Sequence, residues 1–125
     1  MEPTDHELNK LLADVVGVEV VEEKLSDGKI WAIYNTEGSI DDVWVPLIDH
    51  NQMAQIKACL REKYGEILQI DSFVRWSRLK GCWHYTVTIH IGMGTFNAES
   101  LKDELRAFAL AVYKMEKFNQ EGEQP

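Results

Sequence analysis

Two cysteines in 125 residues, Cys59 and Cys82, are too few for the disulfide frameworks that hold small secreted domains together. Each is expected as a reduced thiol behaving as a small buried hydrophobe. No apolar run approaches the roughly 20 residues that cross a bilayer. The opening residues, Met1-Glu2-Pro3-Thr4-Asp5, are acidic where a signal peptide is basic and then apolar. The expectation is a cytoplasmic protein without a membrane partner. Basic residues are also scarce, with 13 Lys and Arg against 21 Asp and Glu and a net charge of −8. Phosphate contact needs clustered Lys and Arg, so this balance makes nucleic acid an unlikely partner. Metal signatures are missing as well. His6, His50, His84 and His90 form no H-x-x-x-H pair, and the cysteines form no C-x-x-C. His84 and His90 share one side of a strand but stand roughly 20 Å apart at about 3.3 Å per residue, too far to hold one ion. No metal and no cofactor are therefore expected.

What is present is the composition of an ordinary globular domain, 45% apolar and 27% charged. The length suits one core, so residues 1–118 are read as a single domain and 119–125 as a disordered polar tail. Thr4 to Val16 is expected as a helix. Thr4 and Glu7 form a capping box, Leu8, Leu11, Leu12, Val15 and Val16 recur at helical spacing, and Gly17 suits a left-handed end. Val18–Glu22 and Ile30–Tyr34 are expected to pair across the turn signal Ser26-Asp27-Gly28-Lys29. A loop follows, with a short extended piece at 42–45.

Asp49 and Gln52 repeat the capping-box spacing and open a second helix, with Met53, Ala54, Ile56, Lys57, Ala58 and Leu60 inward and an end at Tyr64-Gly65. Residues 67–76 and 82–91 form the second hairpin. In its second strand Trp83, Tyr85, Val87, Ile89 and Ile91 alternate with Cys82, His84, Thr86, Thr88 and His90, the pattern of a sheet with one buried face. Gly92 to Phe96 breaks the strand. Asn97 or Ser100 caps a third helix with a stripe of Leu101, Leu105, Phe108, Val112 and Met115. The fold class read from this is α+β, in the order α-β-β-α-β-β-α, with one four-stranded, mainly antiparallel sheet packed by helices. Helix, glycine and hairpin occur twice in succession.

The run Trp44-Val45-Pro46-Leu47-Ile48-Asp49-His50-Asn51-Gln52-Met53, with Leu8 to Gly17, Trp76 to Ile91 and Ala107 to Met115, resembles the phage ABA-sandwich domain family of small phage and prophage proteins, with NinX-type proteins as relatives. The resemblance implies a sheet with helices on its faces, a bacterial host cytoplasm, and an accessory protein without catalytic residues to carry over. The polar strand face of Cys82, His84, Thr86, Thr88 and His90 departs from a sheet covered on both sides.

No catalytic constellation is readable from the residues. His50 lies beside Asp49 with no nucleophile near it in sequence. Gly92-Met93-Gly94 lacks the rest of a phosphate loop and fits a flexible turn. Trp44, Trp76, Trp83 and Tyr85, with Arg75, Arg78 and Lys80, have the composition of a base-stacking platform, but core filling is the simpler account of the tryptophans.

Two binding surfaces stay open. Residues 1–49 hold twelve acidic residues against Lys10, Lys24 and Lys29, while 50–125 hold nine against ten basic ones. Glu19, Glu22, Glu23, Asp41 and Asp42 are thus candidates for docking a basic patch, and the resemblance to phage accessory proteins implies that the patch belongs to a host protein, most naturally one of a defence or regulatory system. The alternative is a small-ligand or nucleotide-signal site on the polar face of strand 82–91, built from Arg75, Trp76, Arg78, His84 and Thr86. A homodimer is compatible with either.

Overall fold

The computed structural model describes residues 2–122. The chain forms two compact units, with the boundary between Cys59 and Leu60. Each holds one three-stranded antiparallel sheet in simple meander order, so the fold is α+β with two small sheets in place of the expected four-stranded one.

The first unit opens with α1, Asp5–Val16. Its capping box is present: the Glu7 amide donates to Thr4 Oγ1 (3.2 Å), and Glu7 Oε1 accepts from the Thr4 amide (3.2 Å). Gly17 closes the helix in the left-handed conformation (φ 75°), its amide donating back into the last turn. Strands β1 (Val21–Leu25) and β2 (Gly28–Tyr34) pair from Val21↔Ala32 to Leu25↔Gly28, leaving Ser26-Asp27 as a two-residue turn. β1 starts three residues later than read, because Val18–Val20 carry the chain away from α1 before pairing begins. A third strand, β3 (Ile40–Val43), returns along β2 with a register shift at Ile33/Tyr34. The expected extended piece at 42–45 overlaps only its end.

Trp44, the largest side chain buried in this unit, donates its indole N–H to the Asn9 carbonyl of α1 (2.7 Å). Asp49 then caps α2 (His50–Tyr64), its Oδ1 accepting from the amides of Asn51 and Gln52. The second half of the expected capping box is absent. The Gln52 side chain turns the other way, to the backbone of Val43 and Val45. Met53 and Ile56 are buried, but Ala54 and Ala58 lie on the exposed side of α2, off the stripe.

The second unit takes in the last turn of α2 and a 3-10 turn at Gly65–Ile67. Strands β4 (Leu68–Ser77) and β5 (Cys82–Ile91) run ten residues each in unbroken register, from Leu68↔Ile91 to Ser77↔Cys82. Gly92-Met93 turns the chain into β6 (Gly94–Ser100), which pairs with β5. This stretch was read as the approach to a helix. Its capping-type residues Asn97 and Ser100 stand within the strand, and Asp103 caps instead, accepting from the Arg106 amide (2.8 Å). The last helix, α3, spans Glu104–Gly122 and packs on β5 and β6.

Leu105, Phe108, Val112 and Met115 are buried as expected, joined by Ala107, Ala109, Leu110 and Ala111. Leu101 precedes the helix and is exposed. The expected tail begins inside α3, which continues to Gly122; residues 123–125 lie outside the described residues. Burying each large apolar side chain of this set stabilises by about 1.5–3 kcal/mol. Among the described residues no helix is long and apolar enough to cross a membrane.

Candidate functional site

Four of the acidic candidates sit on the first sheet, and Glu19 lies in the segment leading to β1, so they are not one undivided patch. Glu22 stands opposite Trp31, and Asp42 opposite Ile33, which the strand period places on one face. Glu23 stands opposite Ile30 on the other. Glu22 is engaged from two sides: His6 Nε2 lies 2.7 Å from one carboxylate oxygen and Lys29 Nζ 3.4 Å from the other. The hydrogen bond from His6, with the charge of Lys29, holds the Glu22 carboxyl below its ordinary value. His6 also stacks on Trp31 (centroids 4.5 Å, 14° between planes), whose indole donates to the His6 carbonyl.

Glu23 accepts a hydrogen bond from the Tyr34 hydroxyl, and that bond pushes the Tyr34 pKa up. Asp42 accepts from the Val43 amide (2.8 Å). All but the half-buried Glu23 of the five are exposed, and so are the apolar Val21, Leu25 and Ile40 beside them. Val21, Leu25 and Ile40 share a face with Glu23, whereas Glu22 and Asp42 stand on the other, and part of the charge is already neutralised within the unit.

The second set divides by strand parity. Arg75 pairs with His84 across β4 and β5, and Thr86 follows two residues on, so these three share a face. Trp76 belongs to the opposite face, where it meets Trp83 edge-on (5.3 Å, 77°). Arg78 lies in the turn. Neither of these two tryptophans fills a core: Trp76 is 51% and Trp83 52% exposed, against 1% for Trp44.

The polar face of the second sheet is largely satisfied from within. His84 Nε2 lies 3.1 Å from Glu99 on β6, and His90 Nε2 lies 3.3 Å from Asp71 on β4. Asp71 also accepts from the Gln69 amide group. The carboxylate of Glu99 at this point opposes an anionic ligand. Sequence reasoning passes over Glu99, Asp71 and Phe73, all of which the register brings to this face; Glu99 is hidden because its segment reads as a strand break and a helix cap.

Depressions mark the second unit among its described residues. One of about 150 Å³ is lined by Ser72, Phe73, Val74, Tyr85 and Glu104. Another of about 500 Å³ runs along Asn97, Ala98, Glu99 and Lys114, and a third of about 330 Å³ lies among Tyr64, Ile91, Met93, Gly94, Phe96 and Phe118. None of the three is lined by Arg75, Trp76, Arg78, His84 or Thr86. Among the described residues no group of three metal-ligating side chains converges. Comparison of the chain with protein-family models, with curated proteins and with solved structures finds no match.

Proposed function

We propose that this is a non-enzymatic binding protein of the phage accessory kind, acting on a host protein that presents a basic patch. The observation that supports this reading is the exposed acidic set of the first unit, in which Glu22 and Asp42 share one face of the sheet, Asp41 stands next to Asp42 in β3, and Glu19 lies in the segment leading to β1. Acidic groups of this kind steer a basic partner into encounter. The phage setting rests on the resemblance of Trp44 to Met53 and its companion segments. Interference with a host defence or regulatory system is the role that fits such a protein.

The small-ligand reading has weaker support, because Trp76 stands on the far side of the sheet from Arg75, His84 and Thr86. The test is affinity capture from bacterial lysate, with mass spectrometry, using the native chain and the triple variant Glu19→Lys, Glu22→Lys, Asp42→Lys. A basic protein retained by the native chain, and lost from the variant and at raised salt, is the expected result. Equal retention by both chains would overturn the assignment to this surface.

A further inference from the structure

We infer that β4 is a homodimerisation strand, pairing antiparallel with β4 of a second copy about a two-fold axis at Phe73. The inference starts from an edge. β4 lies at one end of the order β4-β5-β6, so among the described residues one side of its backbone has no strand neighbour. Exposed edges are normally protected by charge, proline, a bulge or brevity. In the first sheet, edge strand β1 places Glu22, Glu23 and Lys24 in five residues, and edge strand β3 is only four residues long. At the other end of the second sheet, Lys114 from α3 donates to the Asn97 carbonyl of β6 (2.6 Å). β4 carries two charges of opposite sign, Asp71 and Arg75, and none of the other devices. It is ten residues long, contains no proline, and its register with β5 has no shift. Its Phe73 is 57%, Val74 49% and Trp76 51% exposed.

The occupant follows from the residue pattern. In Gln69-Ile70-Asp71-Ser72-Phe73-Val74-Arg75-Trp76-Ser77 the groups on either side of Phe73 are complementary to each other. Centred there, antiparallel self-pairing sets Asp71 against Arg75 of the second copy, and Arg75 against its Asp71. Phe73 meets Phe73 on the axis, and Ile70 meets Trp76 twice. The axis stands perpendicular to the sheet, so Asp71, Phe73 and Arg75 of both copies share one face, as an isologous interface requires. Moving the centre to Ser72 or Val74 sets Asp71 against Phe73 or Ser77, and both charge pairs are lost. Asp71 stays available, since its side chain is 52% exposed even while it contacts His90. Cross-strand opposite charges and aromatic pairs are the units that stabilise such a ladder. The two three-stranded sheets would join into one continuous sheet of six strands.

The experiment is sedimentation velocity and light scattering on the full chain across a concentration series, with Asp71→Arg, Arg75→Asp and the double variant. The native chain should dimerise. Each single reversal converts both charge pairs into repulsive ones and should weaken the dimer by about tenfold or more, and the double variant, which exchanges the charges, should regain it. Circular dichroism confirms that each variant folds, and the double variant separates a lost interface from a lost fold. Hydrogen exchange of the β4 amides should slow as concentration rises. A native chain that stays monomeric, a dimer indifferent to the single reversals, folded single variants not rescued by the exchange, or β4 exchange independent of concentration would each overturn the inference.

Discussion

Replacing Gln52 should destabilise the first unit more than its position in the second turn of a helix suggests. Its side chain is 6% exposed and spans two backbone groups where β3 ends and α2 begins. Oε1 accepts from the Val45 amide (2.7 Å), and Nε2 donates to the Val43 carbonyl (2.8 Å). One amide thus serves two backbone groups in a segment that has left its sheet. Gln52→Ala removes both bonds and leaves both groups in need of water. A typical hydrogen bond is worth about 1 kcal/mol net, and an unsatisfied buried group costs about 1–3 kcal/mol, so the expected loss is about 2–4 kcal/mol. In a chain of this size that lowers Tm by on the order of 10 °C.

Gln52→Glu sharpens the test. Its protonated carboxyl can serve both backbone groups, whereas its carboxylate would face the Val43 carbonyl without a proton. The new group's pKa should therefore be raised in the folded state above the ordinary value of about 4.3. A raised carboxyl pKa contributes stability that is full below the unfolded value and is lost as pH rises through the folded one. The variant should approach native stability in acid and fall away toward neutrality. Chemical denaturation at several pH values reads this, with exposed Asn51→Ala as control, expected within about 0.5 kcal/mol. A Gln52→Ala loss no larger than that of the control would refute the bridging role.

Three further outcomes are expected. Thr4→Ala should cost about 1 kcal/mol in thermal denaturation by removing the cap of α1. In the same variant the Glu7 carboxyl, held low chiefly by its hydrogen bonds with Thr4, should titrate higher by NMR. In the native chain the depressed Glu7 and Glu22 carboxyls contribute stability above the unfolded carboxylate range, lost as pH falls through their folded values. Glu23→Gln should bring the Tyr34 hydroxyl back toward its ordinary pKa, visible as an earlier tyrosinate rise in an ultraviolet titration. Trp44→Phe keeps most of the buried apolar surface but strands the Asn9 carbonyl, and should cost about 1–3 kcal/mol by denaturant unfolding.

What could be read from residues alone follows the range of the interactions involved. The cap of α1, the left-handed Gly17 and the alternation along 82–91 are decided by neighbours a few residues apart, and each appears where the local pattern places it. β3 and β6 are different. Ile40–Val43 has two aspartates in four residues and reads as extended only at its end, and Gly94–Ser100 is mostly polar, so neither carries a full strand signal of its own. Each becomes a strand because a completed hairpin offers it an edge. The same missing partners explain why one four-stranded sheet was expected where two three-stranded sheets form. The exposed Trp76 and Trp83 are a related case: alternation assigns them to the apolar face, but they stand at the hairpin tip, where 51% and 52% of their surface stays open.

For the candidate sites the decisive variable is parity, which adjacent residue numbers conceal. Arg75 and Trp76 are neighbours in the chain and therefore point to opposite faces of β4. A site that needs both would have to reach around the strand. The same rule that separates them collects Asp71, Phe73 and Arg75 on one side, with His84, Thr86 and Glu99 beside them. Within one sheet that face is a ladder of satisfied charges, with His90 on Asp71 and His84 on Glu99. Seen from the open edge of β4, its first and last charges complement a rotated copy of themselves. Neither property belongs to any single residue. Both require knowing that residues 68–77 form an edge, and that is set by the order of the strands in the sheet.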